Sequence, residues 1–371
     1  MNVLVTGSKG FMGKHICIEL RKSAEIDLFE FDRENSEVEL EQFIKNADWI
    51  IHLAGEMRPK NNSDYYSVNL GLTELIANII RKENSNCSII FASSTQSTLN
   101  NDYGISKLEA ERVLLKLQAE HGNKVAIFRL TNAFGKWGKP NYNSVVSTFC
   151  YNISHNLPIT ISDREKVVNF IYIDDIVKTF IGIVNGEKSF HTNDYNSITP
   201  EYPVSLGRLA DLIYSFKETR VNLSVPSVND EFEAKLYATY LSFLPEDDFS
   251  YKLKANSDKK GGFFAEFIKA PNSGQIGINV AKPGVVKGNH YHNTKSEKFL
   301  VIKGECEIKL RKIGTDNVLV YKVSDSEFEV VDIPPGYVHS ITNIGSCDSI
   351  TLIWASELYY NSDTDTFFEE V

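Results

Sequence analysis

From Asn2 onward, short apolar runs alternate with longer stretches in which apolar residues recur every three or four positions. The runs Val3 to Thr6, Ile26 to Phe31, Trp49 to Leu53, Ile89 to Phe91 and Val125 to Phe128 predict strands. The stretches Phe11 to Lys22, Asp64 to Lys82 and Tyr103 to His121 predict the helices between them. Such alternation implies a doubly wound parallel α/β sheet of Rossmann type. Helical patterns at Asp211 to Lys217 and Phe232 to Phe243 end at Leu244-Pro245-Glu246-Asp247-Asp248, where a proline and an acidic run break the periodicity.

Beyond that break the chain turns to short strands and glycine turns: Phe263 to Lys269, Gln275 to Val280, Phe299 to Ile302, Cys306 to Leu310, Val318 to Val323, Glu329 to Ile333 and Ser349 to Trp354. This pattern fits an all-β antiparallel jelly-roll barrel. An α/β domain is expected over 1–245 and a β domain over 246–371.

Composition supports two cores: 371 residues, 42% of them hydrophobic and 24% charged, are enough to bury both. The net charge of -10 argues against a general nucleic-acid or membrane-surface binder, while leaving room for a local basic pocket. No apolar run has the length of a membrane span, and the chain enters a strand directly at Asn2, so a cytoplasmic protein is expected. Five cysteines, scattered and odd in number, read as buried reduced thiols.

After the first strand comes Gly7-Ser8-Lys9-Gly10-Phe11-Met12-Gly13. Glycines at such a turn let the backbone approach a pyrophosphate, with the next helix presenting its positive end. The second strand ends in Phe31-Asp32-Arg33. An acid there hydrogen-bonds a ribose and an arginine can neutralise a 2'-phosphate, so the position leaves NAD and NADP both open. Tyr103-x3-Lys107 puts a phenol and an ammonium on one helix face, where the cation can lower the phenol's pKa. Ser94, at the end of the preceding strand, can donate to a carbonyl being reduced. Downstream, Lys136 to Ser144 offers an aromatic surface in Trp137, a cation in Lys139 and an amide in Asn143, suited to a uracil ring and a diphosphate; Arg164 suits the same role.

In the β part stands Gly284-x5-His290-x-His292-x4-Glu297-x6-Gly304, then Pro334-x-Gly336-x2-His339-x3-Asn343. Imidazoles and a carboxylate suit a borderline divalent metal. His290 and His292 alternate along a strand and leave the same face, Glu297 opens the next strand, and the Pro334-Pro335-Gly336 turn delivers His339.

These motifs resemble two families. The glycine loop, Ser94, Tyr103 and Lys107, together with His52-Leu53-Ala54-Gly55, Asn69 and Arg129-x2-Asn132-x2-Gly135, resemble the extended short-chain dehydrogenase/reductases. That resemblance implies that Gly7, Gly10, Phe11, Met12, Gly13, Asp32, Arg33, Leu53, Ala54 and Gly55 hold the cofactor with Tyr103 and Lys107, and that Asn132 lies at the sugar-nucleotide pocket. His52 and Asn69 also read as a satisfied core histidine and a helix-terminal polar residue. Ser94 is followed by Thr95-Gln96-Ser97 rather than the Asp-Glu pair of the family's 4,6-dehydratases, which favours a ketone reductase or a 4-epimerase.

The second part resembles the cupins, whose pattern makes His290, His292, Glu297 and His339 the metal ligands; Phe328 stands where that motif has glycine. The two together, with Phe134-Gly135-Lys136-Trp137 and Lys287-Gly288-Asn289-His290, resemble the CapF-type capsular polysaccharide enzymes. This implies a homodimer using NADPH and zinc, or another divalent metal. It would epimerise C3 of a UDP-4-keto-6-deoxy amino sugar in the cupin and then reduce C4 to give UDP-2-acetamido-2,6-dideoxy-L-talose, with Tyr103 as proton donor. Asp32 departs from the neutral or basic residue that a 2'-phosphate prefers. Tyr291, Lys298 and Tyr337 are candidates for the C3 base only as neighbours of ligands. A reductase or 4-epimerase with a structural cupin is the rival enzyme, and a nucleotide-sensing regulator the rival outside catalysis.

Overall fold

The computed structural model describes residues 1–59, 61–227, 229–258, 261–359 and 365–371. The chain forms two compact units, Met1–Tyr214 with Asn229–Pro245, and Ser215–Val228 with Glu246–Val371.

In the first unit β1 (Asn2–Thr6), β2 (Asp27–Phe31), β3 (Trp49–His52), β4 (Ser88–Ser94) and β5 (Val125–Leu130) form a parallel sheet in the order β2-β1-β3-β4-β5. Its strands read as continuous apolar runs because both faces are covered. Val3 and Val5 turn to one face, against Ile16 and Leu20 of α1 (Phe11–Leu20) and Ile176 and Phe180 of a second helix on that side, Ile173–Val184. Leu4 turns to the other, against Leu40 and Ile44 of α2 (Glu37–Asn46), Ile76 and Ile80 of α3 (Leu72–Glu83) and Leu114 of α4 (Asp102–His121). Each fully buried aliphatic side chain of this kind contributes roughly 1.5–3 kcal/mol. A small sheet follows, in which β7 (Val167–Tyr172) lies between β6 (Asn132–Phe134) and β8 (Tyr202–Ser205).

The helix expected over Asp64 to Lys82 has two parts. A widened π-type turn, Tyr65–Gly71, precedes α3. Within it the Asn69 side chain accepts from Glu56 N at 2.7 Å and donates to Glu56 O and Ser106 Oγ, so a residue that helical periodicity assigns to one continuous helix instead braces the loop after β3. Ser36 caps α2 in a reciprocal box with Glu39, and Asn101 caps α4 by accepting from Gly104 N.

The two sheets of the second unit are built from antiparallel strand pairs. One sheet holds β9 (Ala255–Asp258), β10 (Gly262–Ala270), β11 (Gly274–Ala281), β13 (Glu297–Lys303), β16 (Val330–Ile333) and β18 (Ser349–Ala355), in the order β16-β13-β18-β11-β10-β9. The other holds β12 (Val286–Tyr291), β14 (Glu305–Lys312), β15 (Val318–Ser324), β17 (Tyr337–Asn343) and β19 (Phe367–Phe368), in the order β15-β14-β17-β12-β19. Alternate residues of each face a shared core, Phe299, Val301 and Ile333 from the first meeting Cys306, Ile308, Leu310 and Ile341 from the second. This is the all-β architecture the strand pattern predicts. Four cysteines are buried, but Cys347 is exposed. Among the described residues no helix is long and apolar enough to cross a membrane.

Candidate active sites

A cleft of about 560 Å³ opens at the carboxyl ends of the parallel strands. Its floor is the loop after β1. Gly7 takes φ +69° and its N donates to Phe31 O at 2.9 Å, and a Cβ on Gly13 would fall 2.1 Å from Gly7 O, so any side chain there would drive the helix off the loop. Among the described residues no side chain caps α1, and no acid stands in its first turn. Its first N–H groups are left for an anion, which fits the pyrophosphate of a dinucleotide.

Ser94, Tyr103 and Lys107 line this cleft together. Burial pushes the Tyr103 phenol up, and a hydrogen bond with Ser94 draws it partly back. Burial pushes Lys107 down to about 8, against the pull of Glu111 one turn along α4. Its Nζ lies 4.3 Å over the Phe91 ring. Glu111 is itself fully buried, held by Arg129 at 2.7 and 3.1 Å and by the Ser93 hydroxyl, and so ties α4 to β4 and β5. That network fixes the helix that carries the phenol and the ammonium. Arg129 therefore serves the scaffold.

Of the cofactor positions expected, Gly7, Gly10, Phe11, Met12, Gly13, Arg33, Leu53 and Gly55 line the cleft. Ala54 packs its backbone against Gly7 instead. Asp32 is absent from the lining, and its two carboxylate oxygens accept from Lys9 N and Arg33 N, each at 2.8 Å. Arg33 is exposed and pairs with Glu56 at 2.8 Å. His52 is the satisfied core histidine: it bonds Thr6 Oγ1 and Thr73 Oγ1, and burial pushes its pKa down to about 3.

Asn132, Trp137, Lys139 and Asn143 also line the cleft. Trp137 is half exposed and packs on His15 at 4.7 Å between ring centres, while Lys139 Nζ lies 4.8 Å over the Tyr142 ring. Arg164 does not line the cleft, and one of its guanidinium nitrogens donates to both oxygens of the Asp211 carboxylate, at 2.7 and 2.8 Å. Local sequence did not reveal that partner, 47 residues away. Sequence reading did not single out Thr131, a cleft residue whose buried hydroxyl lacks a partner among the described residues, and it gave no separate role to Tyr142 of the Lys136 to Ser144 loop, whose hydroxyl donates to Glu56 at 2.8 Å. Neither belongs to a recognisable spacing.

The second unit encloses a cavity of about 1050 Å³ containing His290, His292, Glu297 and His339. One ligand atom from each lies within 4.8 Å of all the others. His290 reaches this position through a bulge: Gly288 (φ +91°) and Asn289 (φ +59°) shift the register so that His290 pairs with His339. His292 lies just beyond the end of β12, and its Nδ1 donates to Asp365 O, which leaves Nε2 bare. The Nε2 atoms of His292 and His339 stand 3.4 and 3.2 Å from Glu297 Oε2. All three atoms are buried without a well-formed hydrogen bond among the described residues. Orphaned atoms of one imidazole-carboxylate set, converging on one point, fit a divalent metal. Burial, reinforced by His339 and His292, pushes His290 down to about 4 and keeps it in the neutral form that binds metals. Burial alone would raise Glu297, but the two histidines hold it below the usual carboxylate range.

Tyr291, Lys298 and Tyr337 do not line this cavity: Tyr291 stacks on Phe367 and Lys298 pairs with Asp332. Lys254, Lys269, Lys287 and Lys295 line it instead, with Asn256, Gln275 and Asn279. Lys295 is 9% exposed and donates to Thr366 Oγ1 at 3.3 Å.

The model of the NAD dependent epimerase/dehydratase family matches residues 3–196, and that of the polysaccharide biosynthesis C-terminal domain matches residues 256–367. The chain is 40% identical over 367 residues to UDP-2-acetamido-2,6-beta-L-arabino-hexul-4-ose reductase of Pseudomonas aeruginosa, covering 99% of this chain and 98% of that one. It is similar throughout to the crystal structure of the capsular polysaccharide assembling protein CapF from Staphylococcus aureus, with a TM-score of 0.94, 42% identity and complete coverage of both chains. A UDP-glucuronic acid 4-epimerase from Bacillus cereus, in complex with UDP-glucuronic acid and NAD, shares the fold over 66% of this chain and 99% of its own, with a TM-score of 0.56 and 16% identity.

Proposed function

We propose that this chain, which belongs to the NAD dependent epimerase/dehydratase family in its CapF-type form with a polysaccharide biosynthesis C-terminal domain, is a two-site nucleotide-sugar enzyme. It takes a UDP-linked 4-keto-6-deoxy-N-acetylhexosamine, inverts C3 in the C-terminal cavity and reduces the C4 ketone in the N-terminal cleft. The product is UDP-2-acetamido-2,6-dideoxy-L-talose, on the route to UDP-N-acetyl-L-fucosamine. The observation that carries this reading is that each unit encloses its own reactive set: a serine, a tyrosine and a lysine in one, three histidines and a glutamate in the other. The name of the Pseudomonas relative, a 4-ketose reductase, supports the same substrate class.

In the C-terminal cavity, zinc or another divalent ion held by His290, His292, Glu297 and His339 would polarise the C4 carbonyl and acidify the proton at C3. The chain supplies the rest. Lys254, Lys269, Lys287 and Lys295 offer cations for the diphosphate and for the negative charge that develops on the C4 oxygen as C3 gives its proton to a base, the proton being returned to C3 on the opposite face. In the N-terminal cleft, NADPH along the Gly7 to Gly13 loop would supply the hydride to C4. Ser94 orients the carbonyl oxygen, Tyr103 gives it the phenolic proton, and the Lys107 ammonium stabilises the phenolate left behind.

The test is an NMR product assay on the 4-keto sugar nucleotide in heavy water. Without NADPH, deuterium should enter C3 with no reduction, and a chelator should stop it. With NADPH, the talo product should form with one NADPH consumed per sugar. Reduction without any C3 exchange would leave the C-terminal unit a structural partner, and absence of both reactions would refute the proposal.

A further inference from the structure

The last described segment, 365–371, lies against the metal-ligand cluster and grips it from two sides. Asp365 O accepts the Nδ1 proton of His292. The Asp365 carboxylate accepts from three consecutive backbone amides in the turn that follows His292: Asn293 N at 3.0 Å, Thr294 N at 2.8 Å and Lys295 N at 3.0 Å, with Thr294 Oγ1 at 3.1 Å. The side chain therefore pins the turn while the main chain pins the ring. Around this point β19 pairs with β12, Phe368 opposite His290 and Phe367 opposite Tyr291, and Arg311 holds Glu369 at 2.7 Å. A carbonyl acceptor forces the Nδ1-protonated tautomer, which is the form that presents the Nε2 lone pair to the cluster.

We propose that Asp365 is a positioning residue: it fixes His292 as a metal ligand by locking the ring's orientation and tautomer, so the C-terminal segment is a working part of the site. The inference rests on the metal reading above for its zinc arm, while its tautomer arm is independent of that reading.

The experiment uses the full-length protein with Asp365→Ala and the near-isosteric Asp365→Asn, which remains informative if the alanine variant does not fold. In the metal-free protein, ring nitrogen NMR should show His292 of the wild type protonated at Nδ1, and a tautomer mixture in the alanine variant, which keeps the carbonyl of residue 365 but no longer holds the turn against it, with a smaller change in the asparagine variant. Zinc affinity, read by competition with a chelator, should fall about 10- to 100-fold. The alanine variant should lose at least as much as the asparagine one, because the amide oxygen still accepts from the turn. If the wild type shows the locked tautomer and the variants lose it, but no form binds zinc, the metal reading fails and the positioning role stands. An unchanged tautomer together with unchanged zinc affinity in both variants would overturn the proposal.

Discussion

His290 stands directly opposite His339 across the β12 to β17 ladder because one extra residue, Asn289, is inserted ahead of it. Up to Gly288 and Ser340 the two strands pair in plain antiparallel register; without the bulge, Asn289 would face His339 and His290 would turn to the other side of the sheet. A Cβ on Gly288 would lie 2.7 Å from His339 O, at a φ of +91° that side chains rarely adopt. The Gly288→Val variant should therefore lose bound metal, with strain of roughly 1–3 kcal/mol appearing as a lower melting temperature. Asn289→Gly keeps the left-handed geometry and should retain the metal. Elemental analysis of both purified variants checks this, and full metal content in Gly288→Val would show that the bulge is dispensable.

Tyr103→Phe removes the phenolic proton while leaving the ring in place. Reduction should fall by about 10²- to 10⁴-fold, the usual range for loss of a general acid, while deuterium uptake at C3 continues. NADPH absorbance beside NMR separates the two. Near wild-type NADPH oxidation would remove Tyr103 from the mechanism.

Lys107 carries a pH signature. Its pKa is lowered from 10.5 to about 8 in the folded protein by burial, so between about pH 8 and 10.5 the unfolded chain binds a proton that the folded chain does not. Stability from this group therefore rises with pH through that window, and below about pH 8 its burial costs on the order of 3 kcal/mol. Lys107→Met should be more stable than wild type at pH 7, by a margin that shrinks toward pH 10.5. Urea midpoints for both proteins at several pH values test this. A margin independent of pH would mean that the ammonium is not strained by its burial.

Local chemistry was legible in the sequence, and long-range partnership was not. Tyr103 and Lys107 could be read because one turn of a single helix sets their geometry, and the glycine loop because its steric demand lies between neighbours. The His/Glu cluster was readable as a spacing, although the device that aims His290 is a bulge at Gly288 and Asn289. Local sequence does not show that Arg164 pairs with Asp211, which lies on another element. Asp365 went unseen because 73 residues separate it from His292. The widened turn at Tyr65–Gly71 left no mark on a helical repeat that continues into α3.

The cofactor preference turns on Arg33. Asp32 accepts one backbone amide on each carboxylate oxygen and is absent from the cleft lining, whereas Arg33 lines the cleft and holds only the exposed end of a pair with Glu56. NADPH should be preferred over NADH. Arg33→Ala should cut kcat/KM for NADPH about tenfold, roughly 1.4 kcal/mol for one charge-assisted contact to a phosphate, and leave NADH nearly unchanged. A wild-type preference for NADH would mean that Asp32 governs the ribose.

His290→Ala separates the two sites most directly. It removes one of the four side chains proposed to hold the metal and should leave the N-terminal cleft working, because among the described residues none that lines that cleft belongs to the second unit. Metal content should drop and C3 exchange should stop. Reduction should persist on a substrate that already carries the product configuration at C3, at a rate close to that of the wild type. Measuring both reactions on one preparation makes the variant its own control: loss of both would report a damaged fold, and full C3 exchange without bound metal would assign that step to the lysines of the cavity alone.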